Sequence, residues 1–188
     1  TLQKSAGKVL GIDPASNVTA IANCQGIPTI TGFFDEHISQ IISADFGDVD
    51  LLVARHMFAH NSTTVEMMKG VKACLASDGT FLVENAYAIE TLLNGEFDQV
   101  YHEHMFYYSA SSINKLMTNF GFELYDIFFS EVHGGSASFC ICNKGQRPIS
   151  SQVTECLKKE QELFVNKDTF VEFKNGVFEL KNQVNQFL

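Results

Sequence analysis

Lys8-Val9-Leu10-Gly11-Ile12-Asp13-Pro14 is a short apolar run that ends in a carboxylate and a proline. A run of this length and composition is typical of a buried strand in a parallel sheet, with Asp13 at its carboxyl end. A helical pattern follows, for which Asn17 is the expected N-terminal cap, and residues 29–34 then read as a second strand. The order strand, helix, strand is the beginning of an alternating α/β chain.

The alternation continues along the chain. Hydrophobic periodicity predicts, in order, a helix at residues 37–44, a strand at 49–54, a helix from Ser62 or Thr63 to residue 76, a strand at 80–85, a short helix at 88–94 and a helix from Ser109 or Ser111 to residue 119. Residues 122–129 and 137–142 then alternate as an antiparallel strand pair, and the tail from residue 150 reads as helix. We therefore predict an α/β fold with a doubly wound sheet, helices on both faces, and ligands at the carboxyl ends of its parallel strands.

Composition narrows the class of protein and its partners. The 188-residue chain is 45% hydrophobic and 19% charged, which is enough apolar content for a domain with a core. Its formal net charge of −9 argues against nucleic acid or an anionic membrane as a partner, because both are polyanions. No apolar run approaches the roughly 18 residues of a transmembrane helix. With no recognisable signal peptide, we expect a cytoplasmic protein. The five cysteines lie in apolar segments and are expected to be structural, with no metal site.

Tyr101-His102-Glu103-His104, the Tyr-His-Glu-His segment, places four ionisable side chains in a row. A helix or a strand would bury some of them unpaired, so this segment is expected at a cleft. A histidine that titrates near neutrality, a carboxylate that orients it and a tyrosine that exchanges a proton are the parts of a general acid/base site. The alternative is a solvated loop whose histidines have no chemical role.

Three further positions carry candidate chemistry. Asp13 stands where doubly wound folds place a carboxylate for a ribose diol, although the glycine-rich turn that precedes such a carboxylate would lie before Thr1, and a turn or cap aspartate is the alternative. His60 follows the third predicted strand and is expected to face the same crevice as the Tyr-His-Glu-His segment. The loop His133-Gly134-Gly135-Ser136 is suited to bring backbone N–H groups to an anion, or is a hairpin turn.

Together these segments resemble the family of S-adenosylmethionine-dependent sugar C-methyltransferases, which methylate nucleotide-linked 4-keto deoxysugars. The resemblance runs from about residue 9 to residue 142. The matching stretches are Val9-Leu10-Gly11-Ile12-Asp13-Pro14-Ala15 with Asn17-Val18, Gly26-Ile27-Pro28-Thr29 with Phe33-Phe34, Met57-Phe58-Ala59-His60, Phe97-Asp98-Gln99-Val100-Tyr101-His102-Glu103-His104 with Tyr107-Tyr108-Ser109, and His133-Gly134-Gly135-Ser136. Asp13 stands where the family commonly has a glutamate, and either carboxylate suits a diol.

The resemblance implies a division of the chain. Members of the family usually begin with a small zinc-binding domain, continue through a Gly-rich loop that holds the cofactor, and end with a further α/β domain. Thr1-Leu2-Gln3 resembles the residues just after that loop. Residues 1–149 are thus expected to be a partial Rossmann-like methyltransferase domain without its first strand, and residues 150–188 a helical linker toward a further domain. Such a fragment is expected to be inactive alone, and its exposed sheet edges would favour a homodimer.

The resemblance also implies roles for individual residues. Methylation at carbon requires removal of a proton next to a ketone and stabilisation of the enolate oxygen. His104 is then the expected base, with Glu103 orienting it or binding the sugar, and Tyr101 and His60 near the enolate oxygen; the four roles are interchangeable. The remaining expected site residues are Asp13, Phe34, Arg55 and His56 for the S-adenosyl-L-methionine cofactor, and His133, Gly134 and Ser136 for the nucleotide-sugar substrate. An O- or N-methyltransferase of another small molecule, or a non-catalytic remnant of the fold, is the alternative.

Overall fold

A computed structural model describes residues 7–188, which fall into two compact units. The first unit contains residues 7–49 and 65–74, and the second contains residues 50–64 and 75–188. In chain order the elements are β1 Gly11–Asp13, α1 Ser16–Cys24, β2 Thr29–Thr31, α2 Glu36–Phe46, β3 Val49–Arg55, α3 Thr64–Cys74, β4 Leu75–Ala86, α4 Ala88–Leu93, α5 Ala110–Asn119, β5 Phe122–Ser130, β6 Ser136–Asn143, α6 Ser151–Val165 and α7 Asp168–Phe187. Short 3-10 helices lie at Phe58–His60, Phe97–Gln99 and Val132–Gly134. The expectation for Thr1-Leu2-Gln3 lies outside the described residues.

The first unit is built on a parallel strand pair. β1 and β2 pair in parallel, with Asp13 beside Thr31, and α1 is the connection between them, as the alternation predicted. The expected cap at Asn17 is wrong, because α1 already begins at Ser16 and Asn17 lies inside it. The backbone entering α1 is instead fixed by Asp13, whose Oδ1 accepts a hydrogen bond from the N–H of Ala15 at 2.8 Å.

Helices α2 and α3 of the first unit meet at a glycine. Asp35 caps α2 by accepting a hydrogen bond from the N–H of Ile38 at 2.8 Å. A Cβ atom added to Gly70 of α3 would stand 2.6 Å from the carbonyl oxygen of Asp35 and 3.1 Å from the ring of Phe34. Only a residue without a side chain permits this approach.

The second unit carries a four-stranded sheet in the order β3-β4-β6-β5. The predicted antiparallel pair is confirmed, since β5 and β6 pair along most of their length, and β6 also pairs antiparallel with β4. The predicted helix end at residue 76 and strand start at residue 80 are wrong. Helix α3 ends at Cys74 and β4 begins directly at Leu75, and the side chain of Asn143 at the end of β6 donates hydrogen bonds to the carbonyls of Ala76 and Ser77 in this strand.

The core of the second unit lies between its sheet and helices α5 and α6. Its largest buried side chains include Phe81, Leu124, Ile127, Phe139, Ile141, Ile113 and Met117. Helix α5 is capped by Ser109 rather than Ser111, through a reciprocal pair of hydrogen bonds with Ser112. The helical tail is confirmed as α6 and α7, and α6 buries Val153 and Cys156. Across residues 7–188, no helix combines the length and apolar character required to span a bilayer.

Candidate functional site

His104 is held by a hydrogen bond at each ring nitrogen. Its Nδ1 lies 2.9 Å from the carbonyl oxygen of Gln99, and its Nε2 lies 3.0 Å from the hydroxyl oxygen of Tyr101. Because a carbonyl oxygen only accepts, Nδ1 carries the proton of the neutral ring, and Nε2 accepts the proton of Tyr101. The pair therefore combines a basic nitrogen of defined orientation with a hydroxyl group, and Tyr101 is 42% exposed to solvent.

The 3-10 helix Phe58–His60 brings a second histidine to this pair. The rings of His60 and His104 meet edge to face with their centroids 4.9 Å apart. The carbonyl oxygen of Ala59 accepts hydrogen bonds from the N–H groups of Met105 and Phe106, at 3.0 and 3.3 Å, and these bonds hold the two segments together. Residues predicted from separate segments, Tyr101, His104 and His60, thus lie at one place.

Glu103 lies apart from the imidazole it was expected to orient. Its carboxylate is 4.0 Å from Nε2 of His102, and both side chains are largely exposed. The orienting contact of His104 comes from the Gln99 carbonyl, so the orienting role of Glu103 is corrected by the geometry. Its other expected role, contact with a sugar, stays a prediction.

Arg55, His56 and His133 form a second cluster with Glu84. The Oε1 atom of Glu84 is 3.0 Å from both Nε of Arg55 and Nε2 of His56, and the ring of His133 meets that of His56 edge to face at 4.6 Å. His56 and His133 both have positive φ angles, 48° and 53°, which non-glycine residues rarely adopt. Strained backbone of this kind is common at functional sites.

Burial sets the protonation of His56. Burial lowers the pKa of His56 below its ordinary value of 6.5, the Glu84 carboxylate acts in the opposite direction, and the charge of His133 adds to the lowering. His56 is therefore a neutral ring near pH 7. Arg55 and His56 were expected to bind the methionine end of the cofactor, and His133 was expected to bind the substrate. In the structure these three residues lie beside each other.

The glycine loop after β5 has acidic neighbours. A Cβ atom on Gly134 would overlap the carboxylate of Glu96, and one on Gly135 would stand 2.9 Å from the side chain of Glu90. Ser136 is buried, and its hydroxyl donates a hydrogen bond to the carbonyl of Val132 at 2.8 Å. The loop therefore lacks the hydroxyl donor that was expected from Ser136, and its carboxylates disfavour an anion there.

The first unit holds the other expected cofactor residues. Asp13 is half-buried at the end of β1, and of its two carboxylate oxygens only Oδ1 has a hydrogen-bond partner among the described residues. The ring of Phe34 is half-buried near Gly70, whereas that of Phe33 is 75% exposed. A carboxylate oxygen without a partner in residues 7–188 and an exposed aromatic ring thus follow the two parallel strands.

Sequence reasoning missed a buried carboxylate in the tail. Glu160 of α6 is 2% exposed and accepts a hydrogen bond from the hydroxyl of Tyr87 at 2.6 Å. Val153, Cys156 and Glu160 recur at helical spacing, so a charge in the apolar stripe of α6 was the available signal. Within residues 7–188, no cluster of histidine, cysteine, aspartate or glutamate is arranged to hold a metal ion.

Comparison with known sequences gives two matches. A family model described as "Methyltransferase domain" matches residues 2–127. The C-methyltransferase NovU of Streptomyces niveus is 36% identical over 162 residues, which cover 85% of this chain and 39% of NovU. The chain therefore spans well under half the length of that relative.

Solved structures share the fold. A SAM-dependent methyltransferase from Anabaena variabilis has a TM-score of 0.57 at 13% identity, covering 76% of this chain and 71% of its own. The magnesium protoporphyrin IX methyltransferase of Synechocystis PCC 6803, solved with bound SAH, has a TM-score of 0.55 at 11% identity, covering 76% and 67%. At these identities the likeness concerns the fold alone, and the α/β Rossmann-like fold expected from the sequence is confirmed.

Proposed function

The chain belongs to the methyltransferase domain family, and on that premise we propose that it serves an S-adenosylmethionine-dependent C-methyltransferase that acts on a nucleotide-linked keto-deoxysugar. The observation that carries this proposal is the hydrogen-bonded pair of His104 and Tyr101 with His60 beside it. Methyl transfer to oxygen or nitrogen has no need of a base for a carbon-bound proton. The 36% identity to a protein named as a C-methyltransferase supports the same acceptor atom.

The first unit suits the proposed cofactor. Asp13 has one carboxylate oxygen without a partner among the described residues, and this oxygen is available to a ribose diol. Phe33 or Phe34 would offer a ring to the adenine. When bound, the cofactor supplies an electrophilic methyl group, for which the protein mainly provides alignment.

His104 and Tyr101 have separate roles in the proposed reaction, one as the base and the other as a hydrogen-bond donor to the ketone oxygen. Without substrate, the Tyr101 hydroxyl donates to Nε2 of His104. With a keto sugar bound, we infer that this O–H turns to the ketone oxygen and leaves Nε2 to take the proton from the adjacent carbon. His104 then becomes an imidazolium whose Nδ1–H still donates to the Gln99 carbonyl, while Tyr101 and His60 stabilise the enolate oxygen. The bound cofactor would then supply its methyl group to this carbon, and the bond between methyl and sulfur would break with the thioether as leaving group.

Proton abstraction is measurable without the cofactor. The protein is incubated in D2O with a thymidine-diphosphate-linked 4-keto deoxysugar, and deuterium at the carbon beside the ketone is followed by NMR. The experiment uses this chain and, in parallel, the longest natural protein that contains it. We expect exchange with the unaltered protein and a loss of about a hundredfold or more in His104→Asn, the usual size of a general-base contribution.

His37→Asn is the matched control, because His37 is exposed on α2 in the first unit and should leave exchange unchanged. If His104→Asn exchanged deuterium at the same rate as the unaltered protein, His104 would not be the base. Calorimetry with S-adenosylmethionine on both proteins tests the cofactor separately, and absence of binding by either would favour a non-catalytic remnant of the fold.

A further inference from the structure

Glu160 is a buried carboxylate that is bonded to Tyr87 and to the start of α5, and it has a longer contact of 3.9 Å with the Cys156 thiol of its own helix. Its Oε1 accepts from the Tyr87 hydroxyl at 2.6 Å and from the N–H of Ala110 at 2.7 Å, and its Oε2 accepts from the N–H of Ser111 at 2.7 Å. No salt-bridge partner is found for it among residues 7–188. A buried charge of this kind persists only when donors compensate its lost hydration, so these three contacts hold it in place.

The two N–H donors belong to the first turn of α5. Ala110 and Ser111 open this helix, and its N-terminus carries the positive end of the helix dipole. Glu160 thus supplements the Ser109 cap from another helix. The start of α5 is thereby fixed to α6, and the chain segment that leads into α5 is the one that follows His104.

Tyr87 joins three further segments to this carboxylate. Its N–H donates to the carbonyl of Gly135 at 2.9 Å, which ties it to the glycine loop. It forms an isolated parallel bridge with Tyr108, and the N–H of Ala88 donates to the Tyr108 carbonyl at 3.1 Å. Burial, followed by the hydrogen bonds to Cys156 and Glu160, raises the pKa of Tyr87 far above its ordinary value, so its hydroxyl remains a donor.

A continuous set of contacts runs from Glu160 to His104. From Tyr108 the chain runs back to Met105 and Phe106, whose N–H groups donate to the Ala59 carbonyl beside His60. His104 immediately precedes Met105. Both ends of the segment between His104 and α5 are therefore fixed, one at Ala59 and the other at Glu160.

We propose that Glu160 is a positioning residue of the candidate site, which fixes the distance between His104 and His60 through the start of α5 and Tyr87. Helix α6 then belongs to the architecture of the site. The chemical task of His104 rests on the proposed function, but the geometric claim stands without it. The test therefore begins with a readout that needs no substrate.

Glu160→Gln keeps the size of the side chain and replaces one acceptor oxygen by an NH2 group, which cannot accept from Tyr87 or from the α5 N–H groups. We expect the variant to retain its secondary structure by circular dichroism, while 15N NMR of the His104 ring shows altered shifts because its distance from His60 has changed. Deuterium exchange of the keto sugar should fall by about ten- to a hundredfold, the order expected for a misplaced catalytic group.

Glu162→Gln is the matched control, since Glu162 is exposed on the same helix and the change removes the same charge. Its His104 spectrum and exchange rate should match those of the unaltered protein. A folded Glu160→Gln with an unchanged His104 spectrum would reduce Glu160 to a structural role and overturn the proposal.

If Glu160→Gln does not fold, Tyr87→Phe decides the question, because it removes one donor to Glu160 and leaves the α5 contacts intact. We expect a smaller shift of the His104 resonances in the same sense, and an unchanged spectrum would contradict the proposal. If the unaltered protein shows no exchange while Glu160→Gln still shifts the His104 ring, the proposed function fails and the positioning role stands.

Discussion

The imidazole rings of His56 and His133 meet edge to face, with their centroids 4.6 Å apart, on two loops whose backbones both have positive φ at the histidine. Glu84 accepts from His56 on the other side. Burial disfavours the charged form of His56, and the positive charges near it add to this effect, so the cluster is most stable when His56 is neutral.

This arrangement makes stability depend on pH. The folded pKa of His56 lies below its ordinary 6.5, so the unfolded chain binds the proton more readily. The neutral His56 therefore contributes to the free energy of unfolding. This contribution is fully present above pH 6.5 and is lost as the pH falls through the lowered pKa of the folded protein. Urea unfolding from about pH 5 to pH 8 should show a smaller acid loss in His56→Asn, which tolerates positive φ. Equal losses in both proteins would contradict this.

The tautomer of His104 is also predicted. At a pH where the ring is neutral, two-bond 1H–15N NMR should show the proton on Nδ1, because the Gln99 carbonyl 2.9 Å away can only accept. In Tyr101→Phe the Nδ1 proton should stay, while the Nε2 resonance moves because it has lost its donor. A proton on Nε2 in the unaltered protein would refute the assignment.

Gly70→Ala should destabilise the protein, although alanine favours helices by about 1 kcal/mol over glycine. Its Cβ would stand 2.6 Å from the Asp35 carbonyl oxygen, and backbone must move to admit it. We expect a loss of about 1–3 kcal/mol in the free energy of unfolding. Gly176→Ala in α7, with nothing within 4 Å of the new Cβ, should instead stabilise by about 0.5–1 kcal/mol. If the free energy of unfolding changed in the same direction in both variants, the close contact between Gly70 and Asp35 would be contradicted.

Asn85 is 2% exposed, and neither polar atom of its side chain has a hydrogen-bond partner among the described residues. An unsatisfied buried amide costs about 1–3 kcal/mol. Asn85→Leu, which has a similar volume, should therefore raise the free energy of unfolding by about that amount in chemical denaturation. Asn85→Asp should lower it by burying a charge. A less stable Asn85→Leu would reveal a partner for the amide.

The cysteines should differ in reactivity. Cys24 is exposed, whereas Cys74, Cys140, Cys142 and Cys156 are buried. Burial raises the pKa of Cys74 to about 11, and it also raises those of the other three buried thiols. Because the thiolate is the reactive form, a disulfide reagent near pH 8 should modify one thiol quickly, and Cys24→Ser should abolish that phase. More than one fast thiol in the native protein would contradict the structure.

The sequence alone predicted those features of the fold that depend on local hydrophobic periodicity. The alternation of strands and helices and the antiparallel pair of β5 and β6 follow from hydrophobic spacing, and the structure confirms them. Boundaries were less accurate. The carbonyls of Ala76 and Ser77, just after α3, accept hydrogen bonds from the side chain of Asn143, and local periodicity contains no signal for a contact so distant in sequence.

Some residues of the candidate site were also predictable from the sequence, and others were not. Residue chemistry and the family resemblance singled out Tyr101, His104 and His60, and these do lie together. Glu103 was favoured because it is adjacent in sequence, but adjacent residues in an irregular loop need not face each other. The charge in the apolar stripe of α6 marked Glu160 as unusual, but its partners could not be read from the sequence, because they are the Tyr87 hydroxyl and two main-chain N–H groups of another helix.

The acceptor that orients His104 is a main-chain carbonyl, and this decides which changes the site tolerates. Any residue at position 99 supplies the same oxygen, so a Gln99→Ala exchange leaves the imidazole aligned. Deletion of Val100 would move that oxygen away while every side chain named in the site remained. The alignment of His104 therefore depends on the number of residues between positions 99 and 104 as well as on their side chains. A comparison of catalytic side chains alone would not detect a change in that number.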